Sequence, residues 1–164
     1  MFSLEIQTLA RLIIDDARER SLRLVTAESC TGGLVAAAIC AIPGASDVFE
    51  RGYVAYTNRA KQEQLGVSGD MIADLGAVSE PIVRMMAEGA LEHSHAHVAV
   101  AITGVAGPGG DSDQIPKGTM YVGLADAAGA HVTHRQYLGD RQRIRTFVVQ
   151  LAMDTLRRRI TGKL

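Results

Sequence analysis

Three side-chain nucleophiles and two glycines stand together early in the chain, in the stretch Ser29-Cys30-Thr31-Gly32-Gly33. The apolar run before them, Leu22 to Ala27, predicts a short buried strand. The apolar run after them, Leu34 to Ile39, predicts a helix, so the polar residues lie on a strand-to-helix turn. Glycines let the backbone approach a ligand, and N–H groups of a helix's first turn can bind a phosphate or a developing oxyanion. This turn is the first candidate for an active site.

Ser29 is the candidate nucleophile, and a helix N-cap is the alternative interpretation, because serine is favoured at that position. The Gly-x-Ser-x-Gly motif is absent, since Ala27 and Thr31 hold the flanking positions, and Gly32 stands where Ser-x-x-Lys requires lysine. Cys30 is an alternative nucleophile, but a cysteine normally draws on a histidine, and these segments contain none. The base that activates Ser29 must therefore come from elsewhere in the chain.

A second segment offers a candidate base. Tyr56 ends a predicted strand that begins at Val48, and Lys61 lies one turn into the helix predicted over Asn58 to Leu65. A lysine accepts a proton only when it is neutral, which requires burial or a neighbouring cation to lower its pKa. The sequence shows neither condition, and a solvated surface lysine is the alternative.

A glycine-rich loop directly follows the apolar strand predicted over Val98 to Ile102. Its candidate ligand-binding residues are Thr103, Gly104, Gly107 and Gly110. In open α/β sheets, ligands bind beyond the carboxyl ends of strands, where glycine N–H groups can form an anion-binding nest. The loop fits neither the Walker A pattern nor the dinucleotide fingerprint, so no motif indicates ATP or NAD. A flexible surface loop is the alternative.

Arginines cluster at the start of the last predicted helix, which Asp140 opens. Cations there oppose the helix dipole. Arg141 and Arg145 are therefore candidate partners of an anionic ligand such as a phosphate, although exposed arginines are common.

Composition restricts the class of protein. The 164 residues suit one domain over 1–164, and 47% are hydrophobic, which is enough for a substantial core. Seventeen basic against eighteen acidic residues provide no broad basic field for nucleic acid or a membrane surface. No apolar run is long enough to span a membrane, so we expect a cytoplasmic protein with neither partner. The two cysteines fit neither a disulfide framework nor a zinc spacing, and we expect free thiols.

No metal site is expected. His93, His95 and His97 alternate across a helix end and the next strand, where histidines are ordinary, and no carboxylate–histidine helix pair accompanies them.

The remaining patterns predict an α/β fold, a three-layer α/β/α sandwich with a mixed β-sheet. They indicate a helix over Ser3 to Arg20, one starting at Ser79-Glu80-Pro81, a strand pair over Met120 to Ala125 and His131 to Tyr137, and a final helix from Asp140 to about Arg159.

Five motifs in order carry a resemblance to a known family. They are Ala27-Glu28-Ser29-Cys30-Thr31-Gly32-Gly33, Tyr56-x-Asn58-x-x-Lys61, Gly76-Ala77-Val78-Ser79, Thr103-Gly104-x-Ala106-Gly107-Pro108-x-Gly110 and Gly139-Asp140-Arg141. Together, over nearly the whole chain, they resemble the CinA C-terminal domain of competence/damage-inducible proteins. One departure is Lys117, because the family usually has lysine two positions earlier.

The resemblance implies a nicotinamide-nucleotide amidase, which converts nicotinamide mononucleotide and water to nicotinate mononucleotide and ammonia. It implies Ser29 as nucleophile, Lys61 as general base, and Tyr56 as the group that orients the lysine or relays a proton. The amides of the turn from Cys30 to Gly33 are the expected oxyanion donors. The nucleotide phosphate is expected on the loop from Gly104 to Gly110, and no cofactor is required.

Two alternatives stay open at this point: a non-catalytic nucleotide-binding or regulatory module, and an amidase for another carboxamide. A homo-oligomer, most simply a dimer, is also expected, with Met85 to Leu91 as a candidate apolar surface.

Overall fold

The computed structural model describes residues 2–164. It contains one mixed β-sheet with helices on both faces. The strands are β1 (Leu24–Glu28), β2 (Phe49–Val54), β3 (Val98–Gly104), β4 (Thr119–Asp126) and β5 (Gly129–Gln136). The helices are α1 (Leu4–Glu19), α2 (Leu34–Cys40), α3 (Asn58–Leu65), α4 (Gly69–Leu75), α5 (Glu80–Glu92) and α6 (Arg141–Ile160), with a short 3₁₀ helix at Ala45–Asp47.

The strand order in the sheet is β2-β1-β3-β4-β5. Strands β2, β1 and β3 are parallel, whereas β4 and β5 run antiparallel to their neighbours. The carboxyl ends of three parallel strands therefore meet at one edge, and the segments that follow them, 29–33, 55–57 and 105–110, are brought together there.

Each face of the sheet has its own core. Helices α1, α2 and α6 cover one face, on which Leu24, Val100 and Ile102 point into the first core. Helices α3, α4 and α5 cover the other, on which Val25 and Ala101 point into the second. The alternation follows from the period-2 geometry of strands. The predicted three-layer α/β/α sandwich with a mixed sheet is confirmed.

Most predicted elements are confirmed to within a few residues at their ends. Ser3 caps α1 by accepting a hydrogen bond from the Ile6 amide, and Asp140 caps α6. Helix α4 was not predicted, although its N-cap Ser68 is a recognisable signal. Its seven residues bury only Ile72, which is too weak a pattern to detect in sequence.

The expectation of an apolar surface over Met85 to Leu91 is wrong. Helix α5 packs on β3 and β4, so Met86, Ala87 and Ala90 are fully buried within this chain. The apolar spacing of that segment reflects core packing, and of its apolar residues only those at its ends, Met85 and Leu91, are partly exposed.

Candidate active site

A cleft of about 250 Å³ opens at the carboxyl edge of the parallel strands. Its walls come from the turn after β1, the segment after β2, the start of α3, the glycine loop after β3 and the first residue of α6. Ser29, Lys61, Tyr56 and Arg141 line it together. Ligand sites of α/β sheets lie at this kind of edge, because the loops there are free to carry polar groups.

Ser29 and Lys61 form the centre of the cleft. Lys61 Nζ lies 3.0 Å from Ser29 Oγ. The lysine is 2% exposed and the serine 8%, so the pair is nearly shielded from water. The surface-lysine alternative for Lys61 is therefore wrong, because the first turn of α3 directs this side chain inward beneath the strand ends.

Two backbone carbonyls determine the direction of the lysine amine. Nζ donates to Ala55 O at 3.1 Å and to Tyr56 O at 3.2 Å. Carbonyl oxygens only accept, so in a neutral amine they take both N–H bonds and leave the lone pair for the third neighbour, the Ser29 hydroxyl. This geometry suits proton transfer from Ser29 Oγ to Lys61 Nζ.

Burial favours the neutral form of the Lys61 amine. Desolvation lowers the pKa of Lys61 below the 10.5 of a free lysine, and the negative charge of an ionised Cys30 acts in the opposite direction. Among residues 2–164 no carboxylate pairs with Nζ, so nothing locks it in the ammonium form.

Cys30 is not suited to be the nucleophile. Burial raises the pKa of its thiol to about 11, and Sγ lies 3.7 Å from Met120 Sδ in the core. A thiol with that pKa is protonated at neutral pH and is therefore a weak nucleophile. The side chain belongs to the packing beneath the cleft, while its neighbour Ser29 faces Lys61.

Tyr56 contributes two different groups. Its carbonyl oxygen accepts from Lys61 Nζ, so the main chain of this residue orients the lysine. Its phenol is half exposed and accepts from Arg141 Nη2 at 2.8 Å. Arg141 Nη1 also donates to Gly107 O at 2.8 Å. Arg141 thus joins the two sides of the cleft mouth.

The glycine loop forms the far wall, and two of its glycines are needed for close packing or for backbone conformation. A Cβ on Gly104 would lie 2.7 Å from Thr119 O, where no side chain fits. Gly107 has φ +68°, which non-glycine residues rarely adopt. Gly110 also lines the cleft. Thr103 anchors the start of this loop, because its hydroxyl donates to Ala77 O at 2.9 Å.

Four predicted ligand-binding residues lie outside the cleft. Thr31 is fully buried, and Gly32 and Gly33 form the turn that leads into α2. Arg145 lies one turn further along α6 than Arg141, and its Nη2 donates to Thr31 O at 2.8 Å. Of the two candidate arginines, Arg141 therefore lines the cleft. Arg145 lies outside it and holds the turn after Ser29 through its bond to Thr31 O.

Glu28 stands in the first motif but was not predicted as a site residue, and its role is to hold the start of α2. Its carboxylate is fully buried and accepts from the amides of Val35 at 3.0 Å and Ala36 at 2.9 Å. The N-cap interpretation of Ser29 is wrong, because Gly33 holds that position and Glu28 satisfies the helix amides. Those two amides are also not free to bind a phosphate.

Glu28→Gln is expected to reduce the free energy of unfolding by about 2–3 kcal/mol, because one amide of α2 would face an NH₂ group and the charge-assisted bonds would be lost. Thermal and urea unfolding measure the change, which corresponds to a fall of several degrees in Tm. Glu88→Gln is the matched control, since Glu88 is exposed on α5. Equal stability of Glu28→Gln and wild type would contradict this role of the carboxylate.

Two of the three alternating histidines have structural partners. His97 Nδ1 accepts from the Arg23 amide at 2.8 Å, and His93 Nδ1 lies 2.8 Å from Gly89 O. Within residues 2–164 there is no group of three or more His, Cys, Asp and Glu side chains that could hold a metal ion. Over the same residues no helix is long and apolar enough to cross a membrane.

Outside the loop from Gly104 to Gly110, three lining residues, Asn58, Ala77 and Val78, were not predicted as site residues. Each stands in a motif that carried the family resemblance, which was the available signal. Ala77 reaches the cleft because the segment between α4 and α5 passes beside Thr103, a contact that sequence spacing does not reveal.

Fold and site together define an α/β/α sandwich protein with a polar cleft at the carboxyl ends of its parallel strands. The chain belongs to the CinA C-terminal domain family, whose sequence model matches residues 6–160.

Relatives with similar sequences belong to the same family. A CinA-like protein from Solibacter usitatus is 49% identical over 146 residues, 89% of this chain and 35% of its own length. One from Akkermansia muciniphila is 47% identical over 150 residues, covering 91% of this chain and 36% of its own. The chain thus spans about a third of the length of these curated relatives.

Two solved structures show the same fold over nearly the whole chain. A competence/damage inducible protein from Agrobacterium tumefaciens is 43% identical with a TM-score of 0.91, covering 95% of this chain and 96% of its own. A CinA superfamily protein from Escherichia coli is 33% identical with a TM-score of 0.90, covering 95% and 91%.

Proposed function

We propose that the chain is a nicotinamide-nucleotide amidohydrolase that uses Ser29 as nucleophile and Lys61 as general base. The observation that carries the proposal is the 3.0 Å contact between Lys61 Nζ and Ser29 Oγ, with both remaining Nζ contacts made to carbonyl oxygens. A buried lysine in that environment can be neutral and can accept the serine proton.

The reaction begins with proton transfer from Ser29 Oγ to Lys61 Nζ while Oγ attacks the carboxamide carbon. The tetrahedral oxyanion is received by the Cys30 amide, the donor that directly follows the nucleophile. The Gly32 amide is already used, since it donates to Ser29 O at 3.0 Å. A preorganised donor of this kind contributes about 10²- to 10³-fold to the rate.

Collapse of the intermediate breaks the C–N bond, and the Lys61 ammonium gives its proton to the departing ammonia. An acyl ester on Ser29 remains. A water molecule then gives a proton to the neutral Lys61 and attacks the ester carbon, and Ser29 Oγ leaves with that proton. The products are the free enzyme and the carboxylic acid, which releases its remaining proton to solvent and becomes the carboxylate, so each residue returns to its starting state.

Arg141 supports a phosphorylated substrate. Its guanidinium lies at the cleft mouth, held by Gly107 O and the Tyr56 hydroxyl, and both bonds can be exchanged for phosphate oxygens. The loop from Gly104 to Gly110 adds glycine amides on the same side. The base of the nucleotide would then extend inward toward Ser29.

The test is ammonia release from nicotinamide mononucleotide by the purified protein with a chelator present. We expect release equal to the nicotinate mononucleotide formed. Binding of the nucleotide without ammonia would favour a non-catalytic regulatory module. Equal turnover of nicotinamide riboside, which lacks the phosphate, would favour an amidase for another carboxamide.

The pH dependence of kcat/KM is expected to report the Lys61 pKa. The base must be neutral, so kcat/KM falls about tenfold per pH unit below that pKa and reaches a plateau above it. Burial lowers the pKa from 10.5, so the plateau begins below pH 10.5. A flat acid limb in a pH–rate profile would contradict a lysine base.

A further inference from the structure

A second cavity lies between the N-terminal ends of α1 and α6. Its volume is about 470 Å³, compared with about 250 Å³ for the catalytic cleft. The second cavity is therefore no smaller than the cleft in which a nucleotide is proposed to bind. Phe2, Leu34 and Val149 give it an apolar lining.

The polar lining of this cavity is positively charged. Arg141 and Arg145 both contribute to it, and of the residues 2–164 that form its wall none is aspartate or glutamate. The N-cap carboxylate of α6, Asp140, accepts from the Arg143 amide and is not among the residues that line this cavity, so it does not neutralise the two arginines there. The charge of the lining favours an anion.

Arg145 has unused hydrogen-bonding capacity. Nη2 donates to Thr31 O, but Nε is buried and donates to no group within residues 2–164. A buried donor without an acceptor is unfavourable, and the planar guanidinium matches the oxygens of a phosphate. An anion that pulls this side chain into the cavity would supply the missing acceptors.

We propose that this second cavity binds a phosphorylated small molecule of nucleotide size, with the phosphate on Arg145 and the ring against the apolar lining. The site is separate from the cleft that contains Ser29, and its occupancy does not depend on the proposed amidase activity.

The two cavities are coupled through the arginines. Arg141 lines both, and its guanidinium holds Gly107 O and the Tyr56 hydroxyl in the cleft. Arg145 holds Thr31 O, two residues after Ser29. A phosphate in the second cavity competes for these guanidinium groups, so it weakens the binding of a phosphorylated ligand in the cleft. By linkage, the cleft ligand weakens binding in the second cavity by the same factor.

Calorimetric titration with adenosine monophosphate and with adenosine tests the site. Gln142→Glu places a carboxylate in the second cavity, and Asn58→Asp places one in the cleft. Both positions are exposed and lie in the first turn of a helix, where a carboxylate is favourable. Gln64→Glu, an exposed position in α3, has the same charge change and lines neither cavity.

We expect adenosine monophosphate to bind the wild type, adenosine to bind at least about tenfold more weakly, and Gln142→Glu to weaken the nucleotide at least about tenfold. Asn58→Asp and Gln64→Glu should leave that affinity within about threefold. Saturating adenosine monophosphate should raise the Kd of nicotinamide mononucleotide in the wild type but not in Gln142→Glu.

Three outcomes would overturn the proposal. The first is the absence of adenosine monophosphate binding at about 10 mM, which is on the order of the weakest affinity of interest. The second is that adenosine binds as tightly as adenosine monophosphate. The third is that Asn58→Asp loses binding while Gln142→Glu keeps it. The last would place the nucleotide in the cleft. A thermal melt of each variant verifies that all are folded. Because the readout is binding, a failure of the amidase proposal leaves this result intact.

Discussion

Ser29→Ala is expected to lower kcat for nicotinamide mononucleotide by about 10⁴-fold or more. The substitution removes the only atom that forms the acyl ester, and a water molecule in its place lacks the fixed position beside Lys61. The measurement is ammonia release under saturating substrate, with nicotinate mononucleotide quantified separately.

The fold should survive this change. Ser29 Oγ contacts Lys61 Nζ and, at 3.5 Å, Tyr56 O, and the lysine keeps both carbonyl partners when the hydroxyl is removed. We expect the Kd for the nucleotide to change by less than about threefold, because the phosphate contacts lie on the glycine loop and Arg141. Ser46→Ala, at an exposed serine, is the matched control and should be fully active.

Substantial ammonia release by Ser29→Ala would rule out the covalent route and favour direct attack by water. A burst of ammonia in the wild type, equal to the enzyme concentration and absent in the variant, would support an acyl-enzyme whose hydrolysis is slow.

Lys61→Met is expected to lower kcat by about 10²- to 10⁴-fold, the usual contribution of a general base. Methionine fills the buried space, so the loss reflects the missing amine. Because this lysine is desolvated and pairs with no carboxylate in the described part of the chain, its replacement is expected to leave stability equal or higher at neutral pH.

The Lys61→Arg variant tests whether Lys61 acts as a base or only as a positive charge. A guanidinium cannot lose its proton at accessible pH, so this variant should be as inactive as Lys61→Met. Retained activity in Lys61→Arg would mean that the residue acts only as a cation. Lys163→Met, an exposed lysine near the C-terminus, is the control for loss of one lysine and should be unaffected.

Lys61 also links stability to pH. Its pKa is lowered in the folded chain, so between that value and 10.5 the unfolded chain binds more protons. The contribution of this residue to the free energy of unfolding therefore rises with pH across that window, and Lys61→Met should remove the effect.

The residue pattern by itself determined the layers of this protein. Strands β1 and β3 are continuous apolar runs because both faces of the sheet are covered, and α1 and α6 carry caps that the sequence displays. The motifs also indicated Ser29, Lys61, the glycine loop and Arg141, since the type of each residue limits the chemistry it can perform.

The tertiary structure alone decided which of these groups meet. The sequence made Lys61 a candidate base, but the burial that lowers its pKa and the two carbonyls that accept its N–H bonds are not visible in a linear sequence. Arg141 and Arg145 are four residues apart on one side of α6. They have different partners because successive turns of the helix lie beside different segments of the chain. Burial and direction depend on contacts between distant segments, and for that reason the sequence predicted the residue types of the site but not its geometry.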